Sequence, residues 1–188
     1  MTLNPLARSK TSKYEDQRIG VFVDVQNLYY SAYNIYHSRV NFGAILDSVV
    51  SKRKLVRAIA YVIQADQPEE QAFFDALGKQ GYEVKAKPLQ VFIGGAKKGD
   101  WDVGIAMDAL RLAPKVDVIV LVTGDGDFVD LVRYLQGAFG CRVEAMSFKK
   151  TCSQKLVNEV DELLTMDEAK YLIKDTRGGS RERKRIDK

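Results

Sequence analysis

The chain has 188 residues, 46% of them hydrophobic and 29% charged, with a formal net charge of +4. That length fits one domain of ordinary size, and that apolar share excludes a globally disordered chain. No apolar run reaches about 18 residues, which excludes a membrane-spanning helix.

The charge is uneven along the chain. Residues 174–188 carry net +4 and residues 1–18 net +2, so the body between them is mildly acidic. A basic end favours nucleic acid or acidic partners, although a short charged end is as readily a solvated terminus. Residues 1–17 are polar and unpatterned and are expected to form a flexible N-terminal arm. Residues 18–173 hold the domain, and 174–188 form a basic C-terminal tail.

Arg18 leads into Ile19-Gly20-Val21-Phe22-Val23, an apolar run that predicts a strand buried on both faces and ending at Asp24. Leu28, Tyr29, Ala32 and Tyr33 recur at helical spacing and predict a helix over 25–36. A second helix is expected over 42–51, then a strand over 55–63. Pro68 opens a helix to about Gln80, stopped by Gly81. Residues 82–86 read as a strand, and 89–93 extend it or make an edge hairpin. Residues 94–99 form a glycine-rich loop carrying Lys97 and Lys98. An apolar helix covers 101–112, and a strand over 116–122 runs into Thr123-Gly124-Asp125-Gly126-Asp127. A helix over 128–139 is closed by Gly140. A strand at 142–147 follows, then helical pieces at 153–160 and 167–173.

This alternation predicts an α/β three-layer sandwich, with a mostly parallel central sheet and helices on both faces. In such sheets ligands bind outside the carboxyl ends of the strands. Asp24 follows the first strand, and Asp125 and Asp127 follow the strand at 116–122. Asp102 opens the helix leading into that strand. Four carboxylates thus converge on one edge. Like charges held close need a counter-ion, and a hard divalent cation, Mg²⁺ or Mn²⁺, suits oxygen ligands with water. Each aspartate also has a plainer role. Asp24 and Asp127 would cap helices, Asp125 would sit in a turn, and Asp102 would complement a helix dipole.

Asp108 lies six residues beyond Asp102 in an apolar stretch, so the two cannot share a helix face. It is expected to support the site from behind, or to pair with Arg111. Thr123 offers a hydroxyl at the same edge, and Asn27 an amide. Lys97, Lys98, Lys149 and Lys150 near that edge would offset phosphate repulsion, or are ordinary surface charge. Tyr29, Tyr30 and Tyr33 would stack bases, though packing against the sheet is the plainer reading.

Neither GxxxxGK[ST] nor GxGxxG occurs, so a dinucleotide cofactor is not expected. Cys141 and Cys152 lack metal-type spacing. Cys141 reads as a buried free thiol in a reducing compartment. His37, the single histidine, is better suited to structure than to acid–base chemistry. MTLNPLARSK lacks the apolar core of a secretory leader, so a cytoplasmic location is expected.

Val23-Asp24-Val25-Gln26-Asn27-Leu28, Lys98-Gly99 before Asp102, and Thr123-Gly124-Asp125-Gly126-Asp127-Phe128 together resemble the NYN domain. That is a branch of the PIN-like nucleases, and the likeness is to its bacterial LabA-like group, over residues 19–148. The resemblance implies a PIN-like, Rossmann-like topology. It also implies hydrolysis of RNA by acidic residues around Mg²⁺ or Mn²⁺. By position, Asp24, Asp102 and Asp125 resemble the metal-binding aspartates and Asp127 the fourth acidic member. Asn27 resembles the residue that orients the first carboxylate. The group's Lys-Gly-x-Asp spacing is one residue longer here, so Asp100 competes with Asp102, and the distance to Asp108 favours Asp102. The function expected is a metal-dependent ribonuclease with RNA as partner. The alternatives are a non-catalytic RNA-binding or regulatory module on the same fold, and a small-molecule phosphohydrolase.

Overall fold

The computed structural model of the protein describes residues 14–64, 70–91 and 97–174. Its centre is a six-stranded sheet whose strands are β1 (Arg18–Asp24), β3 (Lys54–Gln64), β4 (Glu83–Pro88), β7 (Val118–Val122), β8 (Arg142–Ser147) and β9 (Glu162–Thr165). Their spatial order is β4-β3-β1-β7-β8-β9, and every neighbouring pair is parallel. Two short antiparallel ribbons flank it. One pairs β2 (Ser38–Val40) with β10 (Leu172–Lys174), the other β5 (Gln90–Val91) with β6 (Lys97–Lys98).

The apolar runs of β1 and β7 split between two cores by strand alternation. Ile19, Val21 and Val23 with Val118, Val120 and Val122 face one side. There they meet α1 (Val25–Tyr36), α2 (Phe42–Val50) and α3 (Glu70–Lys79) through Leu28, Ile45 and Leu77. Phe22, Ile119 and Leu121 face the other side. That side is covered by α4 (Asp102–Leu112), α5 (Val129–Phe139) and α6 (Gln154–Glu159), through Ile105, Val132, Leu135 and Leu156. A run buried on both faces is what a central parallel strand requires. The result is the three-layer sandwich expected from the alternation.

From β1 the chain builds outward through β3 to β4, then crosses back to place β7 on the other side of β1. The sheet therefore reverses its winding between β1 and β7, which is where doubly wound sheets open a crevice for ligands.

Several boundaries differ from expectation. β7 begins at Val118, because Pro114 sits in a 3-10 turn over Ala113–Lys115 and Val116 packs as a linker. Residues 162–165 form the edge strand β9, which was not expected. The helix expected over 167–173 is a 3-10 turn, Ala169–Tyr171, followed by β10. The helix start at Pro68 and residues 92–93 of the expected hairpin lie outside the described residues. So do 1–13 of the arm and 175–188 of the tail. Among the described residues, no helix is long and apolar enough to cross a membrane.

Candidate metal centre

Asp24 ends β1 and caps α1. Its Oδ1 accepts the Asn27 backbone N–H at 3.0 Å, so the plainer capping role is filled. The Asn27 side chain does something else: its Oδ1 accepts the Gly124 N–H at 3.0 Å. Asn27 thus steadies Asp24 through its backbone and ties the end of β1 to the loop after β7 through its amide oxygen.

That loop is tightly held. Thr123 is buried, and its Oγ1 accepts the Asp125 N–H at 3.2 Å. Asp125 in turn caps the short turn Gly126–Phe128, its Oδ1 accepting the Asp127 N–H at 2.9 Å. Gly124 permits the close packing: a Cβ there would lie 2.7 Å from Ser147 Oγ and 2.8 Å from the Thr151 carbonyl.

The third segment is the start of α4. Trp101 anchors it, donating from Nε1 to the Val62 carbonyl at 2.8 Å and packing its ring 5.2 Å from that of Tyr61. No side chain caps this helix, and Asp102 stands in its first turn, facing the positive end of the dipole. Trp101 reads in sequence only as an apolar helix residue, so its anchoring role was missed. Lys87 was missed too, since one lysine on a strand carries no motif. It lies 4.7 Å over the Trp101 ring and favours the charged form of Asp102.

These segments bring Asp102, Asp125 and Asp127 together: one carboxylate oxygen from each lies within 4.8 Å of the others. Asp24 stands beside them, close enough for Asp102 and Asp125 to act on its charge. Among the described residues no ion pair reaches any of the four. Burial, then the charges of Asp102 and Asp125, push the Asp24 carboxyl up to about 6 despite the Asn27 hydrogen bond. Burial and the neighbouring Asp100, Asp125 and Asp127 also raise Asp102. A set of hard oxygen donors with uncompensated charge fits a divalent cation. The trio contains Asp102 and not Asp100.

Other expected residues fall elsewhere. Asp108 is buried, but its partners are Tyr61 Oη at 2.8 Å, Lys85 Nζ at 2.6 Å and Arg111 at 3.5 Å. Burial alone would raise its carboxyl, yet the Lys85 and Tyr61 hydrogen bonds outweigh it and hold it below the ordinary value. Asp108 therefore braces the seam of α4 with β3 and β4 rather than the aspartates. Lys149 and Lys150 are exposed in the turn after β8. Lys97 and Lys98 lie in β6, and their side chains lie outside the described residues. Tyr29, Tyr30 and Tyr33 do not pack on the sheet: each is more than half exposed. His37 ends α1 in a left-handed conformation, φ 47°, a structural role. Cys141 is a buried free thiol, as expected.

The NYN domain model matches residues 18–167. The chain belongs to the NYN domain family. This is a family of PIN-like nucleases, and an acidic cluster is present here. The chain is 25% identical over 174 residues to the low amplitude and bright protein LabA of Synechococcus elongatus, covering 87% of this chain and 91% of LabA. A crystal structure of a Vibrio parahaemolyticus protein of unknown function superposes with a TM-score of 0.79 at 33% identity. That match covers 87% of this chain and all of the other.

Proposed function

We propose that this NYN protein is a divalent-metal-dependent ribonuclease. The observation that carries this reading is the trio of carboxylate oxygens within 4.8 Å of one another at the winding reversal of the sheet. Asp102 and Asp125 of the trio, with Asp24 beside them, would hold Mg²⁺ or Mn²⁺. Such a cation supplies an activated water and neutralises charge on a scissile phosphate.

The chain's own residues do the rest. Asn27 and Thr123 fix the Gly124–Asp125 loop, so that Asp125 keeps its place relative to Asp24. Asp127, the exposed member of the trio, would stand beside the cation as a fourth carboxylate. Lys149 and Lys150 are exposed and offer counter-charge to a polyanion. RNA as substrate is supported by the NYN family and by the net +4 charge of residues 174–188.

Assorted RNAs incubated with Mn²⁺ or Mg²⁺ test the reading, with Asp24→Asn as control. Metal-dependent cleavage that Asp24→Asn abolishes is expected. Metal-induced stabilisation without cleavage of any RNA or DNA would replace the enzyme by a non-catalytic RNA-binding or regulatory module.

A further inference from the structure

On the α1–α3 face a cavity of about 590 Å³ opens. Its volume lies within the range of small-ligand sites. The aspartates do not use it, yet it starts where they do. Val25 and Gln26, the two residues after Asp24, line its wall. So does Val62, whose carbonyl holds Trp101 just ahead of Asp102. Metal centre and cavity therefore share the carboxyl edge of β1 and β3.

The lining is apolar in body and polar at a few points. Tyr29, Phe73 and Phe74 supply ring surface, Gln26 and Gln80 supply amides, Glu70 a carboxylate and Arg39 a guanidinium. Arg39 has no ion-pair partner among the described residues. At the rim, the Tyr29 and Tyr33 rings are stacked, centroids 6.2 Å apart and planes within 8°. Tyr30 meets Tyr29 edge-on at 5.9 Å. Tyr29 is 52% exposed, so this aromatic stack stands open to solvent.

We propose that this cavity is a subsite for one unpaired nucleobase of an RNA strand whose phosphate lies at the aspartates. The proposal rests on the ribonuclease reading. Rings that offer a stacking face, amides that meet a base edge and a cation for the adjoining phosphate are the groups that recognise single-stranded RNA. An acyl chain would have no use for the amides or the guanidinium. A duplex would have no free base to insert. The subsite would make the protein selective for unpaired segments and would set where along them the phosphate is cut.

Binding measured without turnover tests this. The probes are fluorescently labelled hexaadenylate and hexauridylate and a fully paired RNA of equal length, added to the full chain in EDTA. Tyr29→Ala should weaken hexamer binding by about 5- to 100-fold, the value of stacking one base on one ring. Tyr29→Trp should restore it, and duplex binding should not move. Tyr134→Ala serves as control, because Tyr134 is exposed on α5, on the far face. Unchanged melting of Tyr29→Ala separates lost stacking from lost fold. Hexamer binding equal to wild type overturns the subsite, as does an equal loss for duplex and hexamer. If the subsite fails while cleavage still depends on Asp24, the nuclease reading stands alone. If Tyr29 governs hexamer binding but no RNA is cut, the subsite stands and the nuclease reading falls.

Discussion

Replacing Asp24 by Asn in the metal-free protein should stabilise it at pH 7.5. The Asp24 carboxyl is lifted from 3.8 to about 6 by burial and by Asp102 and Asp125, a destabilisation of the ionised fold of about 3 kcal/mol. The sign follows from the direction of the shift. Well below pH 3.8 Asp24 is protonated in the folded and unfolded chain alike and costs nothing. As pH rises through 3.8 toward 6 the unfolded chain ionises first, and stability is lost over that window. Asn cannot ionise, and it keeps the Oδ1 that caps α1 at 3.0 Å from the Asn27 nitrogen. For a domain of this size 1 kcal/mol moves Tm by about 2–4 °C, so a gain of about 6–12 °C is expected at pH 7.5 and almost none at about pH 3. Thermal denaturation in chelator across that pH range measures it. Adding Mn²⁺ should then raise Tm of the wild type more than that of Asp24→Asn, since a ligand of the folded state stabilises by mass action. A Tm difference that is flat across pH, or a mutant destabilised at pH 7.5, would refute the electrostatic argument and leave Asp24 as a helix cap.

Three further outcomes are expected. Gly124→Ala should push the loop away from the Thr151 carbonyl, which its Cβ would approach to 2.8 Å, costing about 1–3 kcal/mol and most of the metal-induced rise in Tm. Arg53→Met should cost about 3 kcal/mol in urea denaturation, because Glu144 is 4% exposed and would keep only Arg142 as partner. The double change Arg53→Met with Glu144→Leu should recover much of that loss. Removing residues 175–188 should weaken RNA affinity and flatten its salt dependence while sparing cleavage at saturation; if both are unchanged, the tail is a solvated end.

The centre of this fold could be read from sequence, and its margins could not. Ile19–Val23 and Val118–Val122 are apolar at nearly every position because both faces are covered, and little besides a central parallel strand produces so short and so apolar a run. The aspartates after them were placed by the rule for strand ends, which needs only the parallel sense of the sheet. β9 was missed because Glu162-Leu163-Leu164-Thr165 is half exposed at an edge and shows no clean alternation. β2 and β10 were missed for another reason: each is three residues long and finds its partner about 130 residues away. Asn27 shows the limit at a single residue. Its closeness to Asp24 is local and was foreseen, but its bond to Gly124, 97 residues on, depends on β1 and β7 being neighbours. The tyrosines of α1 were misjudged because helical spacing reveals a shared face but not what covers it.

The aspartates stand above β1 and β7, the two innermost strands, with Asp102 carried on a helix that packs against β1. Local opening begins at margins such as β4 and β9, at free energies well below that of global unfolding. Such fraying leaves the carboxylate spacing intact. A cation held there would grip no single loop; it would report on the domain as a whole. Metal affinity and the slowest amide exchange, at the β1 and β7 backbone, should be lost together in one cooperative step.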